Sequence, residues 1–345
     1  MKAVDTHADL LRQSAADVGN DRRLGASEAP PVIISIFLGE QLEDVVKQLI
    51  ETGTASSSIQ GQKLETGVST LPDFVKDATD RNRTSPFAFT GNKFEFRSLG
   101  SNDSIACCNI MLNTAVADIL EKFADELEGA SDFNAAVSAL VLKTIKEHKR
   151  IIFNGNGYSD EWVKEAESRG LMNLKTTPEA LAHLCDKKNV EVLKKEGVFT
   201  EVELKSRYDI YNDNYAKIIN IEALTMIDMT KKLYLPVASS YANELAGVVA
   251  AKKAVDAGID ATYETDLVKK VSSLTTGIYS KLQSLEKAEC EVKNISEVDE
   301  LAAYYCNKVI PIMNELRANV DELEGYVPAS KWPVPSYGEL LYSVR

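Results

Sequence analysis

With 345 residues, 44% of them hydrophobic and 26% charged, the chain holds enough apolar material for one large domain or two ordinary ones. Its formal charge of −13 argues against nucleic acid or an anionic membrane as a general partner, since both call for net basic surface. Five cysteines without C-x-x-C spacing read as reduced thiols, the unclustered His7, His148 and His183 give no support to a zinc site or a nucleophile–histidine pair, and the lack of an apolar signal core or membrane-length apolar run points to the cytoplasm.

Apolar spacing over MKAVDTHADLLRQSAADVG predicts a helix with Gly19 as its C-terminal stop. VIISIFLG (32–39) is a β-branched run suited to a buried strand, and EQLEDVVKQLIETG returns to helical spacing. Residues 54–70, rich in Ser, Thr, Gly and Gln, read as a loop. NKFEFR (92–97) follows as a strand, on which Lys93, Glu95 and Arg97 share one face while Phe94 and Phe96 anchor the other. From Ser104 onward the pattern is almost entirely helical. Thr200 is a candidate N-cap for a long helix or two, and three amphipathic segments near 238–257, 262–289 and 295–325 suggest an antiparallel bundle beyond Pro236. The tail VPASKWPVPSYGELLYSVR, with three prolines around Trp332, predicts an extended docking strip.

Arginines recur in DRR (21–23), DRNR (80–83) and FEFR (94–97), and convergent guanidinium forks suit a highly anionic reactant; ordinary surface arginines give the same pattern. Glu28 stands on a Gly-containing loop before Pro30-Pro31, where it could close over a site and present a base, or serve as a solvated connection. Asn154-Gly155-Asn156-Gly157 lacks the Walker lysine and dinucleotide spacing and reads as a turn between helices.

RRLGASEAPPVIISI, DRNRTSPFAFTGNKFEFRSLGSNDSIACCNIMLNTAVADIL, RIIFNGNGYSDEWVKEAESRGLMNLKTTPEAL and KWPVPSYGELLYSV together resemble the C-terminal half of a type III glutamine synthetase, over nearly the whole chain. The resemblance implies an α+β fold: residues 1–225 as the C-terminal part of the catalytic domain, with few strands and many helices, and 226–345 as a mainly helical extension with the Pro/Trp tail. It implies ATP-dependent ligation of ammonia to glutamate through γ-glutamyl phosphate, with Mg2+ or Mn2+, in a homo-oligomeric ring. Residue by residue it implies Glu95 as a metal ligand, Arg97 at glutamate and the transferred phosphoryl group, Arg23 at the substrate carboxylate, Arg83 and Lys93 at ATP phosphates, and Glu28 as the flap residue that takes a proton from ammonium.

The family's small N-terminal β domain, its other acidic ligands and its histidine-bearing segment match nothing in this sequence. One carboxylate cannot hold two divalent ions that each want about six oxygens, so the chain alone is expected to be inactive or to need a complementary piece. The shorter synthetases also carry a further arginine after RNR, which TSPFAF does not offer, and this weakens the match at Arg83. Two other readings fit the pattern: a catalytically inactive helical assembly protein derived from the family, and a ligase that joins glutamate to another amine.

Overall fold

The computed structural model describes residues 1–26, 29–58, 63–64, 74–75, 83–101 and 103–342. It is mostly helical with a few short strands, and the chain divides into two compact units, Met1–Tyr211 and Asn212–Arg345.

The first unit opens on α1 (Lys2–Thr6), α2 (Ala8–Gln13) and α3 (Val18–Arg23) rather than on one helix. Gly19 is not a stop. It lies in the first turn of α3, where its N–H donates to the side chain of the N-cap Asp17 at 2.8 Å. Leu10 and Leu11 are fully buried, and Arg12, 1% exposed, staples this segment to a distant one. Its Nε donates to the Leu174 carbonyl at 2.9 Å and its Nη2 to Asp21 at 3.3 Å, while Asp21 also accepts from the Thr177 amide and hydroxyl.

The run 32–38 is buried almost throughout, but only β1 (Ile36–Phe37) is strand. The ladder is cut short because the Leu38 and Gly39 amides are taken by Asn154 Oδ1, at 2.9 and 3.2 Å, and Gly39 turns the chain with φ +80° into α4 (Gly39–Thr52). Gly53, in the left-handed conformation, ends that helix. Within the predicted loop 54–70, residues 54–58 have no regular structure, whereas β2 (Lys63–Leu64) pairs antiparallel with β3 (Phe74–Val75).

β4 (Phe87–Phe89) pairs parallel with β1 and antiparallel with β5 (Phe94–Phe96), giving the order β1-β4-β5. Ile33, Ile36, Phe87, Ile151 and Trp162 join the core beneath. α5 (Ile105–Leu127), capped by Ser104, and α6 (Phe133–His148), capped by Asp132, follow as expected. α7 (Asp160–Ser168), α8 (Thr177–Ala182) with a Thr176/Glu179 capping box, and α9 (Lys187–Lys195) complete the short pieces. α10 (Glu201–Met229) starts at Thr200, whose hydroxyl and amide exchange hydrogen bonds with Glu203.

The second unit's helices include α11 (Leu235–Val255), α12 (Thr262–Glu291), α13 (Val298–Tyr304) and α14 (Ile310–Glu324). α12 packs on both α11 and α14. Ion pairs Lys231–Glu286 and Lys252–Glu264 run in opposite order along α12, as do Lys281–Glu315 and Lys270–Glu322, so these neighbours are antiparallel as the spacing predicted. Pro236 marks no break. A π-helical turn, Thr230–Tyr234, precedes it, and a second, Tyr305–Val309, precedes Pro311. A proline has no N–H and its ring collides with the carbonyl four residues back, and the widened π turn moves that carbonyl aside. The tail is only partly extended: Trp332 stacks on Tyr234 with centroids 5.4 Å apart, and α15 (Tyr337–Tyr342) follows.

Candidate functional site: the charged face of β5

Four residues, Thr90–Lys93, connect β4 to β5, with Gly91 at φ +93°. The register places Phe87 opposite Phe96 and Phe89 opposite Phe94, so four rings share one face with centroids 5.2–6.1 Å apart for the three closest pairs. Phe94 is 46% exposed and is a partner to the inner rings more than an anchor. The opposite face carries Glu95 across from Ala88, a small, 1%-exposed residue.

On that face three charges converge along one strand. Glu95 Oε2 accepts from Arg97 Nε at 3.2 Å and Nη2 at 3.0 Å, and Lys93 Nζ lies 3.6 Å from Oε1. The backbone holds both cations in line, since the Arg97 amide donates to the Pro86 carbonyl and the Lys93 carbonyl accepts from Thr90 N, each at 2.8 Å. Hydrogen bonding from Arg97, helped by Lys93, keeps the Glu95 carboxyl below its usual range and therefore ionised. With 37% of its side chain exposed, Glu95 remains open to a ligand.

Arg23 reaches the same strand end from α3. Its Nη1 donates to Asn20 Oδ1 at 3.1 Å and the Ser98 carbonyl at 3.3 Å, and its Nη2 to the Arg97 carbonyl at 3.4 Å. The structure thus brings Lys93, Glu95, Arg97 and Arg23 together. Asn20, 2% exposed, fixes the junction by donating to Ala15 O and Ser98 O, a role without a sequence signal because its partners are backbone carbonyls. Arg83 stands exposed beside Thr84, whose hydroxyl accepts from Gly157 N at 2.9 Å; the glycine turn is packed here, and a Cβ on Gly157 would meet the Thr84 carbonyl at 2.6 Å. Glu28, Asp80, Arg81 and Asn82 lie outside the described residues. The base of the Glu28 loop is closed by a hydrogen bond from Gly25 N to Pro30 O at 2.9 Å.

Asp9, His183 and Asp186 form a group whose potential ligand atoms lie within 4.8 Å of one another, with members more than 170 residues apart that spacing could not join. Lys188 and Asn189 already hold Asp9, at 2.9 and 2.8 Å, and His183 Nδ1 is 2.7 Å from Asp186. An ion there would compete with the lysine for Asp9, the one buried member of the group.

The profile of the glutamine synthetase C-terminal domain matches residues 136–253. Across 99% of its length the chain is 39% identical to a type-3 glutamine synthetase of Dictyostelium discoideum and 38% identical to a glutamine synthetase of Butyrivibrio fibrisolvens, covering 47% and 49% of those proteins. A glutamine synthetase of Bacteroides fragilis (strain YCH46) is 35% identical, with 48% of it covered. The chain is similar to these glutamine synthetases along nearly all of its own length. It spans about half the length of the curated relatives it matches. The profile match runs from α6 into α11, downstream of the β5 face; the likeness to whole glutamine synthetases extends over that face as well.

A divalent ion of the kind glutamine synthetases use by resemblance would find in Glu95 one ionised, accessible carboxylate. That suits one ligand position of about six. No helix among the described residues is long and apolar enough to cross a membrane.

Proposed function

We propose that this chain supplies the C-terminal share of a glutamine synthetase active site, for ATP-dependent ligation of ammonia to glutamate in the cytoplasm, with residues 1 to about 225 in the catalytic domain and the rest a helical extension. The observation that carries this reading is the alignment of Lys93, Glu95 and Arg97 on one strand face, with Arg23 bonded to the end of the same strand.

Phosphoryl transfer asks a protein mainly to neutralise and align charged oxygens. Arg97 would bear on the γ-carboxylate of glutamate and the transferred phosphoryl group, Arg23 on the substrate carboxylate, and Lys93 and Arg83 on ATP phosphates. Glu95 would hold Mg2+ or Mn2+, which supplies charge neutralisation at the phosphates. The γ-phosphoryl group passes from ATP to the carboxylate, leaving ADP. Glu28 takes a proton from ammonium, and the resulting ammonia adds at the acyl carbon and expels phosphate. The remaining metal ligands come from a complementary segment, and assembly is a homo-oligomeric ring.

The test is γ-glutamyl hydroxamate formation with ATP, magnesium, glutamate and hydroxylamine, by the chain alone and by the chain fused behind the upstream half of a matched glutamine synthetase. Product only from the fusion, abolished by Glu95→Ala, is expected. Product from the chain alone would overturn the shared-site reading, and activity surviving Glu95→Ala in the fusion would remove Glu95 from the metal.

A further inference from the structure

The Arg23 guanidinium is held from one end. Its Nη1 donates both hydrogens, to Asn20 Oδ1 at 3.1 Å and the Ser98 carbonyl at 3.3 Å, and its Nη2 donates one, to the Arg97 carbonyl at 3.4 Å. Among the described residues Nε makes no bond, and it is not closed off from solvent. Nε–H and the second Nη2–H are therefore unspent. Nε and Nη2 flank one edge of the fork, and such an edge takes both oxygens of a carboxylate.

Of the three acceptors, Asn20 is the nearest and is the one side chain. It is itself immobile. Its partners at 2.6 and 2.7 Å, Ala15 O and Ser98 O, are both carbonyls, so the amide nitrogen must face them and Oδ1 must face Arg23. Asn20 and Arg23 stand three residues apart on α3 and so share a face. The helix is pinned on a second side, where Asp21 accepts from Arg12 and from Thr177. The Ser98 carbonyl, just beyond β5, takes bonds from both Asn20 and Arg23, so the amide ties the guanidinium to the end of the strand that carries Glu95 and Arg97.

We infer that Asn20 is a positioning residue for Arg23: it holds the guanidinium by the Nη1 end and leaves the Nε/Nη2 edge to receive the substrate carboxylate. The inference rests on the substrate role proposed for Arg23 and adds the residue that sets its orientation. An untethered arginine would lose its rotamer freedom at every binding event, whereas here that loss is taken on folding.

The test has a part that needs no activity. In nitrogen-15 NMR of the unsubstituted 345-residue chain, Arg23 should show separate Nη1 and Nη2 resonances, because a bonded guanidinium rotates slowly about its Cζ–N bonds, and these should merge in Asn20→Ser. In the fusion described above, hydroxamate kinetics are measured with glutamate and ATP varied separately. Asn20→Ala and the milder Asn20→Ser should raise the KM for glutamate about tenfold or more and leave that for ATP within about twofold. A merely structural defect would lower kcat through the active fraction and leave both KM values in place. Arg23→Ala should raise the glutamate KM at least as far, and adding Asn20→Ala to it should raise it no further, as for two residues acting as one unit. Merged resonances in the unsubstituted chain, a glutamate KM unchanged in the Asn20 variants while Arg23→Ala raises it, or additive effects in the double variant would each overturn the positioning role. A glutamate KM unchanged in Arg23→Ala, or no product from the fusion in any form, would instead overturn the substrate reading beneath it.

Discussion

Glu95 and Arg97 sit two residues apart on a strand, so their pairing needs no long-range fold and is set by side-chain alternation. Their ion pair leaves the carboxyl lowered in the folded state. It therefore adds stability above the ordinary carboxylate value of 4.5, and that contribution disappears as pH falls through the lower folded value. Glu95→Gln is expected to lower the thermal midpoint slightly at pH 7, and the difference from the unsubstituted chain should shrink as pH falls below the ordinary carboxylate value, by scanning calorimetry. Arg12 is a different kind of charge, enclosed and bound to two carbonyls and to Asp21. Arg12→Ala would strand Asp21 in a low-dielectric site, and a loss of about 3 kcal/mol is expected in urea unfolding. The alternation on β5 could be read from six letters. Asn20, Arg12 and the Asp9–Asn189 hydrogen bond could not, because each depends on a partner brought in by tertiary packing.

At the scale of elements, α4 has no side chain of its own capping its first turn. Asn154, more than a hundred residues downstream, supplies the acceptor for Leu38 and Gly39 instead. Asn154→Ala should cost about 1–2 kcal/mol, the usual cost of losing an N-cap, measurable as a shift of the denaturation midpoint with an unchanged slope. The same contact explains why VIISIFLG is buried as predicted yet hardly pairs as a strand: hydrophobicity reports burial, whereas the ladder ends where an amide finds another acceptor. The long helices were legible because three- and four-residue steps accumulate over many turns. The π turns were not, since a widened turn alters those steps by less than a residue's spacing, and a proline alone reads as a break. α15 escaped for a related reason: prolines at 328, 333 and 335 mask six helical residues beyond them.

For the whole molecule, large apolar side chains stand in water on several helices. Ile105 and Leu120 on α5 and Phe133 on α6 are each about 60% exposed or more. Surfaces of this kind are normally covered, and the chain spans about half of its relatives. The isolated chain is expected to self-associate at tens of micromolar, and fusion to the upstream half of a matched glutamine synthetase should reduce this in light scattering. The two tryptophans are distributed usefully: Trp162, 1% exposed and stacked on Phe153, belongs to the first unit, and Trp332, partly buried against Tyr234, to the second. Each unit therefore carries one tryptophan, which can be excited selectively over the tyrosines. Trp162→Phe leaves Trp332 as the only tryptophan emission, and its unfolding curve set against that of Trp332→Phe would show two separate transitions if each core melts by itself, and coincident ones if the units cooperate.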